Sequence, residues 1–438
     1  MQHAPIFKAI RDIREFLELD TQKRHAYLYE PHRWFIRESP LLFSRTVLLV
    51  LGLLRNSLSI ELFDFFGRLK IDSVTKSALC QRRQLIKPAF FRDLFVVTAD
   101  VFYKRFKAKR WKGFRLIAID GTGFRLPEDN DIGESYGWHG NQHNRVPSTR
   151  ALIAFDVLNK IIYDVEHHPR EVSEVKVNYA WIPDFPKDFL AVYDRGFASY
   201  AIPLLHLRYG SNCIVRLRTD VSPVVKQFIQ STDKERHINV SPKHKCRRTV
   251  AQQGVRIDHD EFVKVRLLKI LLPTGEVEIL MTTLCDKRKY PHRFFAGLYN
   301  ARWGVETAIF CIKSYGKLTA FSSYKPEGIE QDIWAQYAMY NIQSMMITSQ
   351  EDEVKKVSQK RKYPATINRN VTLGLIKRNL TYVFLDPMRK WKARLLVLLD
   401  KMTHHLEAKR PRPSRPRNRK ILRGQGRHIY ESNYKPTL

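Results

Sequence analysis

Apolar residues recur along this chain with several spacings, and each spacing predicts a different kind of element. Over residues 1–112 they fall three and four apart, as in AIRDIREFLEL and in the run from Leu41 to Leu69, which predicts an all-helical N-terminal region. Within it, Ser73–Phe95 reads as two short helices, with Ser73 as a cap for the first and Pro88 opening the second. From 113 to 218 the pattern changes to short apolar strands: FRLIAID, STRALIAFDVLN, KIIYDVEHH, FLAVYD and CIVRLR, with a helix over Glu171–Ala180. Strands interleaved with helices in this order predict an α/β layer. Residues 219–288 are polar and basic, with strand-like RTVAQQGVRI, FVKVRLLKILL and EVEILMTTL, the last two joined by a PTG turn, so a β-rich insertion is expected. Helical periodicity returns over 289–348, ending in IEQDIWAQYAMYNIQSMMI, and further helices lead through 349–438 to a proline-rich basic tail, KRPRPSRPRNRK.

One helical segment carries two patterns at once. In FFAGLYNARWGVETAIFCIKSYGK, Phe294, Leu298, Ala301, Val305, Ala308 and Ile312 form an apolar stripe that must be buried. Tyr299, Arg302, Glu306 and Lys313 form a polar row one residue on, about 100° around the helix. That row therefore sits on the shoulder of the buried face. It is either a solvated edge with an Arg–Glu pair or one wall of a site.

Two apolar strands supply the other wall, because each ends in an aspartate: Asp120 after FRLIAI and Asp194 after FLAVY. Singly, the D-G-T and D-R-G sequences there also suit turns. Together they place two carboxylates at strand carboxyl ends, where ligands gather in open α/β sheets. Two aspartates and Glu306 form a hard oxygen set suited to two Mg²⁺ ions, with Mn²⁺ as a substitute. Asp120 would bridge the ions, with Asp194 and Glu306 each completing one side. Arg302, Lys313 and Arg195 are then candidate phosphate contacts, and Tyr299 a further DNA contact.

Charge points to the substrate. The chain has 438 residues and a net charge of +32, which favours polyanions. The longest early apolar run, TVLLVLGLL, is too short to span a bilayer, and the mixed N-terminus is unlike a signal peptide, so membrane is not the expected partner. Five scattered cysteines without a C-x2-C pair argue against a disulfide framework or structural zinc, and for a reduced interior. Lys76, Arg82, Arg83 and Lys87 surround the turn of the Ser73–Phe95 pair, as in a helix-turn-helix reader or simply a basic helical pair. His139 and His143 have a metal-like spacing, but in a Gly/Asn-rich segment that reads as a loop.

D-G-T at Asp120, D-R-G-F at Asp194 and the row Y-x2-R-x3-E-x6-K from Tyr299 resemble the signatures of DDE transposases of the bacterial insertion-sequence-four family. The resemblance runs from about residue 70 to 345. It implies a ribonuclease-H-like (retroviral-integrase-like) catalytic core interrupted by a β-rich insertion. It implies Asp120, Asp194 and Glu306 as catalytic metal ligands, cut-and-paste transposition with Mg²⁺, and a homodimer on the terminal inverted repeats of the element and on target DNA. It also implies a cytoplasmic bacterial protein, held at the nucleoid through DNA. A metal-dependent endonuclease that cuts without joining, and a non-catalytic DNA-binding descendant, are the alternatives.

Overall fold

The computed structural model describes residues 3–141, 144–218 and 222–410. Six helices come first: α1 (Ala4–Leu17), α2 (Thr21–His25), α3 (Phe43–Gly52), α4 (Leu58–Leu69), α5 (Lys76–Gln84) and α6 (Ala89–Arg105). In α1, Ile6, Ile10, Ile13 and Leu17 face inward at helical spacing and are buried. The cap of α5 is Thr75, whose hydroxyl accepts from the Ala78 N–H, and not Ser73. Pro88 stands at the cap position just before α6.

A mixed sheet follows. Its elements in chain order are β1 (Arg115–Arg125), α7 (Asn130–Tyr136), β2 (Trp138–Asn141), β3 (Asn144–Asp156), β4 (Ile161–Pro169), α8 (Glu174–Trp181), β5 (Phe189–Tyr193), α9 (Ala201–Arg208) and β6 (Asn212–Leu217). Then come α10 (Pro223–Gln230), β7 (Glu235–Val240), α11 (His244–Ala251), β8 (Val263–Leu271) and β9 (Val277–Thr282). The strand order is β2-β3-β1-β5-β6-β9-β8-β7, with β4 paired to β3. β1, β5 and β6 run parallel, while β3 is antiparallel to both β1 and β4. Strands β7–β9 thus extend the same sheet across the β6–β9 pairing. RTVAQQGVRI is not a strand. Its first residues complete α11, where Cys246 and Val250 turn one side inward, and Gly254 at φ +79° takes the chain out of the helix.

The glutamate segment follows as α12 (Phe295–Ala301), α13 (Trp303–Phe310) and one π-helical turn over Cys311–Tyr315. Then come α14 (Pro326–Thr348), α15 (Glu351–Gln359), β10 (Ala365–Ile367), α16 (Arg369–Phe384), α17 (Met388–Thr403) and β11 (Leu406–Ala408). The basic tail beyond residue 410 lies outside the described residues. Among those described, no helix is long and apolar enough to cross a membrane.

Two cores sandwich the sheet. One side packs Leu116, Ala118, Phe124, Ile153 and Val165 against the N-terminal helices, the glutamate segment, α14, α16 and α17. The other packs Ile117, Ile119, Ala191, Tyr193 and Val215 against α8, α9, α10 and α11. The strand alternation of side chains divides β1 between them.

Helix α14 is buried along almost its whole length. Several of its polar residues bond to the elements packed around it. Asn341 accepts from the Ile162 N–H at 2.9 Å and donates to the Ile162 carbonyl at 2.9 Å and the Thr98 hydroxyl at 3.2 Å. Asn341→Ala would orphan buried groups on β4 and leave a void. We expect a loss of about 2–3 kcal/mol, read as a lowered urea midpoint.

Candidate functional site

The site lies where β5 stops and β1 continues. The last β1–β5 pair is Ile119 with Tyr193, so Asp120 and Asp194 come one step later on adjacent strands. Neighbouring strands are about 4.8 Å apart. Asp194 does end its strand. Asp120 does not: β1 runs on to Arg125 because β3 is long enough to pair with it as far as Arg125 and Ser148. The D-G-T sequence is strand, not turn.

Opposite the aspartates stands the Tyr/Arg/Glu/Lys row. The segment that carries it is not one regular α-helix. At Arg302 it tightens, with Arg302 N–H bonded to the Tyr299 carbonyl and Val305 N–H to that of Arg302. At Lys313 it widens into the π turn, closed by Gly316 N–H on the Cys311 carbonyl at 2.9 Å. Even so, all four side chains point at the sheet. The Tyr299 hydroxyl donates to Asp194 Oδ1 at 3.1 Å. Arg302 donates from Nη1 to Asp120 Oδ2 at 3.4 Å and from Nη2 to Glu306 Oε1 at 2.7 Å. Lys313 Nζ donates to the Gly123 carbonyl at 2.5 Å. Phe294, Leu298, Ala301, Val305, Ala308 and Ile312 pack into the helical-side core as the stripe predicts.

Burial governs the electrostatics. It pushes the Asp120 carboxyl up to about 6; Arg302 and the Gly121 N–H pull the other way, while the charges of Glu306 and Asp194 push it further. Asp120 therefore feels both other carboxylates. Burial works against the charge on Arg302, yet its bond to Glu306 and the nearby Tyr299, Asp120 and Asp194 raise its pKa overall. The Tyr299 hydroxyl is raised by burial and by Asp194. Lys313 is lowered by burial first and by Arg170 second.

Among the described residues, no three acidic, histidine or cysteine side chains are gathered closely enough to hold a metal ion as they stand. Here the Arg302 guanidinium, nearly buried at 4% exposed, fills the space between Asp120 and Glu306. The donor chemistry fits Mg²⁺: three mutually repelling carboxylates, of which Asp120 and Glu306 share one resident cation. Ions held there would require Arg302 to turn away, and its Nε, buried without a partner, does not anchor it.

Other expected residues fall variously. Arg195 is exposed on the turn after Asp194. His139 lies in strand β2 and not in a loop, while His143 lies outside the described residues. The basic turn of α5 and α6 is largely spent on structure. Arg83 is buried and binds Asp332, Gln331 and the Gly328 carbonyl; Arg82 packs on Phe35 and bonds the Leu41 carbonyl; Lys87 bonds the Ala26 carbonyl.

Arg216 on β6 was not singled out from the sequence. It lies 4.0 Å from Asp194 and pairs with Glu278 of β9 at 2.9 Å. A cavity of about 240 Å³ opens beside it, lined by Glu278, Tyr299 and Trp303 among others. Nothing in the CIVRLR pattern distinguishes Arg216 from Arg218, because the strand pairing that selects it is tertiary.

The family described as transposase DDE domain matches residues 111–342, just over half of the chain. The transposase InsG for insertion sequence element IS4 of Escherichia coli (strain K12) is 22% identical over 313 residues, covering 70% of this chain and 68% of that protein. The putative transposase InsZ of the same organism is 27% identical over 150 residues, covering 33% of this chain and 50% of that protein. Among solved structures, a piggyBac transposase synaptic complex with hairpin DNA aligns over 94% of this chain and 87% of that one, with a TM-score of 0.46 and 11% identity.

Proposed function

Since this chain belongs to the transposase DDE-domain family, we propose that it moves an insertion sequence of the insertion-sequence-four kind by cut-and-paste transposition. The observation that supports this reading is that one helical segment reaches all three carboxylates: Tyr299 bonds Asp194, and Arg302 bonds Asp120 and Glu306. The strand order β4-β3-β1-β5-β6, with its parallel and antiparallel pairs, supports a ribonuclease-H-like core.

Asp120, Asp194 and Glu306 would hold the divalent ions. Bound there, the ions supply an activated oxygen nucleophile and stabilise the leaving oxygen. The protein's own groups do the rest. Tyr299 fixes the rotamer of Asp194 through its hydroxyl. Arg302 pairs with Asp120 and Glu306 in the DNA-free enzyme and presents a planar fork to a phosphate once that phosphate arrives. Lys313 adds a second charge at Gly123, and Arg195 a third at the open side. Such a site works by positioning and charge more than by covalent intermediates. The net charge of +32 supports salt-sensitive binding along DNA. The insertion-sequence resemblance supports two copies acting on two element ends. The N-terminal helices are the proposed readers of the terminal repeats, with Lys76 exposed there.

The test is incubation of the protein with Mg²⁺ and DNA bearing the ends that flank its own gene, with products sized on gels. Cleaved ends and joined target are expected, and both should vanish with chelator and return with Mg²⁺ or Mn²⁺. Cleavage without joining would favour an endonuclease. Chelator-resistant cutting would remove the carboxylates from the mechanism.

A further inference from the structure

The first residue past β4 is Arg170, and it has no acidic partner. Among the described residues it makes no hydrogen bond or ion pair, and its Nε is buried and unsatisfied. The acids that follow it, Glu171 and Glu174, lie against other groups. The Glu171 carboxylate lies over Gly137, 3.3 Å from where a Cβ would stand. Glu174 lies against Gly121 and pairs with Arg150 at 3.5 Å.

Arg170 shares a strand residue with another cation. Its Nη1 comes within 3.4 Å of the Cβ position of Gly123, and the carbonyl of that same glycine accepts from Lys313. The two flank β1 where it runs on past β5, Arg170 on the Cβ side of Gly123 and Lys313 at its carbonyl. Lys313 feels Arg170 as a like charge. Two half-buried cations without a counter-charge are unfavourable in the free protein, and such arrangements are kept for a ligand that supplies the missing charge. A planar guanidinium beside an ammonium suits a phosphodiester, with the fork taking two oxygens and the lysine acting as a point charge. Gly123 is three residues beyond Asp120 on the same strand, about 10 Å away at strand rise. The anion held there lies beside the carboxylates, not on them.

We propose that Arg170 and Lys313 together seat a DNA backbone phosphate next to the reacting one, making Arg170 a positioning residue for the strand. The identity of the ligand as DNA rests on the transposase reading above.

The experiment measures binding of a labelled duplex carrying the element end, in chelator so that no chemistry intervenes, across a salt series. Wild type is compared with Arg170→Ala, Arg170→Lys and Lys313→Ala, and each DNA-free protein is melted. Arg170→Ala should weaken binding about tenfold near physiological salt and lower the log–log salt slope by about one. Arg170→Lys should regain the slope and part of the affinity. The melting temperature of DNA-free Arg170→Ala should stay level or rise, because a repelled charge has been removed. An unchanged slope, or a lowered melting temperature that accompanies the lost affinity, overturns the phosphate seat. These results separate from the wider reading. A wild type that joins DNA while Arg170→Ala binds normally sinks only the seat. A slope loss in Arg170→Ala, beside a wild type that neither cuts nor joins, keeps the seat and sinks the transposase.

Discussion

Glu306→Gln should abolish cutting and joining of element-end DNA, with activity down by at least about 10³-fold, while end binding in chelator stays within a few-fold of wild type. The substitution keeps the shape and removes one negative charge. Glutamine can still accept from Arg302 Nη2, so the guanidinium keeps its place near Asp120. What is lost is the third carboxylate of the oxygen set proposed above to hold two divalent ions. The same change relieves Asp120, whose carboxyl is pushed up partly by the charge of Glu306. It also takes from the nearly buried Arg302 the charge of its partner at 2.7 Å, so the two effects oppose and the DNA-free protein should melt close to wild type, which a melting curve checks beside the activity assay. Lost activity with unchanged stability is the signature of a site that holds mutually repelling groups for function. Equal rates for the two proteins would remove Glu306 from the mechanism.

What could be read beforehand depended on local periodicity. Tyr299, Arg302, Glu306 and Lys313 were visible because seven-residue and shorter offsets keep side chains on one face even where the helix tightens at Arg302 and widens at Lys313. Asp194 was visible because FLAVY is buried at every residue and stops there. The mid-strand position of Asp120 was not, since the length of β1 is set by β3, a partner outside its own sequence. RTVAQQGVRI misled because its threonine and valines favour strands, while the inward pair Cys246 and Val250 already has helical spacing. Charges misled most. Arg83 looked like a DNA contact and is a buried structural cation; Arg170 and Arg216 looked ordinary and stand at the site. A cation's role depends on which acid the fold brings to it, and that information is tertiary.

Asp332→Asn should cost about 3–5 kcal/mol of stability, because it breaks the ion cluster that fastens the N-terminal helices to α14. Asp332 is fully buried. It accepts from Arg55 Nη1 at 2.7 Å, from Arg83 Nη2 at 3.0 Å, and from the Ser322 N–H at 2.7 Å. Both guanidinia are almost inaccessible, at 2% and 4% exposed, so asparagine would leave their charge uncompensated. Lys377 sits nearby, its pKa pushed down to about 7 by burial and by Arg55, with Asp332 opposing. It offers no negative charge in exchange. The carboxyl of Asp332 is held down at about 2 despite its burial, by Arg55 and Arg83. Its folded value is below the unfolded one, so its contribution is full above about pH 4 and disappears as pH falls from there toward 2. Wild type should lose stability over that window, and Asp332→Asn should show a flatter dependence. Urea midpoints across pH measure both. Limited proteolysis localises the effect, with new cuts expected between residues 53 and 88, where Arg55 and Arg83 lie. Adding Arg83→Gln to Asp332→Asn should cost less than the two single changes combined, since the second removes a charge the first has stranded. An unmoved urea midpoint in Asp332→Asn would show that the cluster is not what holds these helices in place.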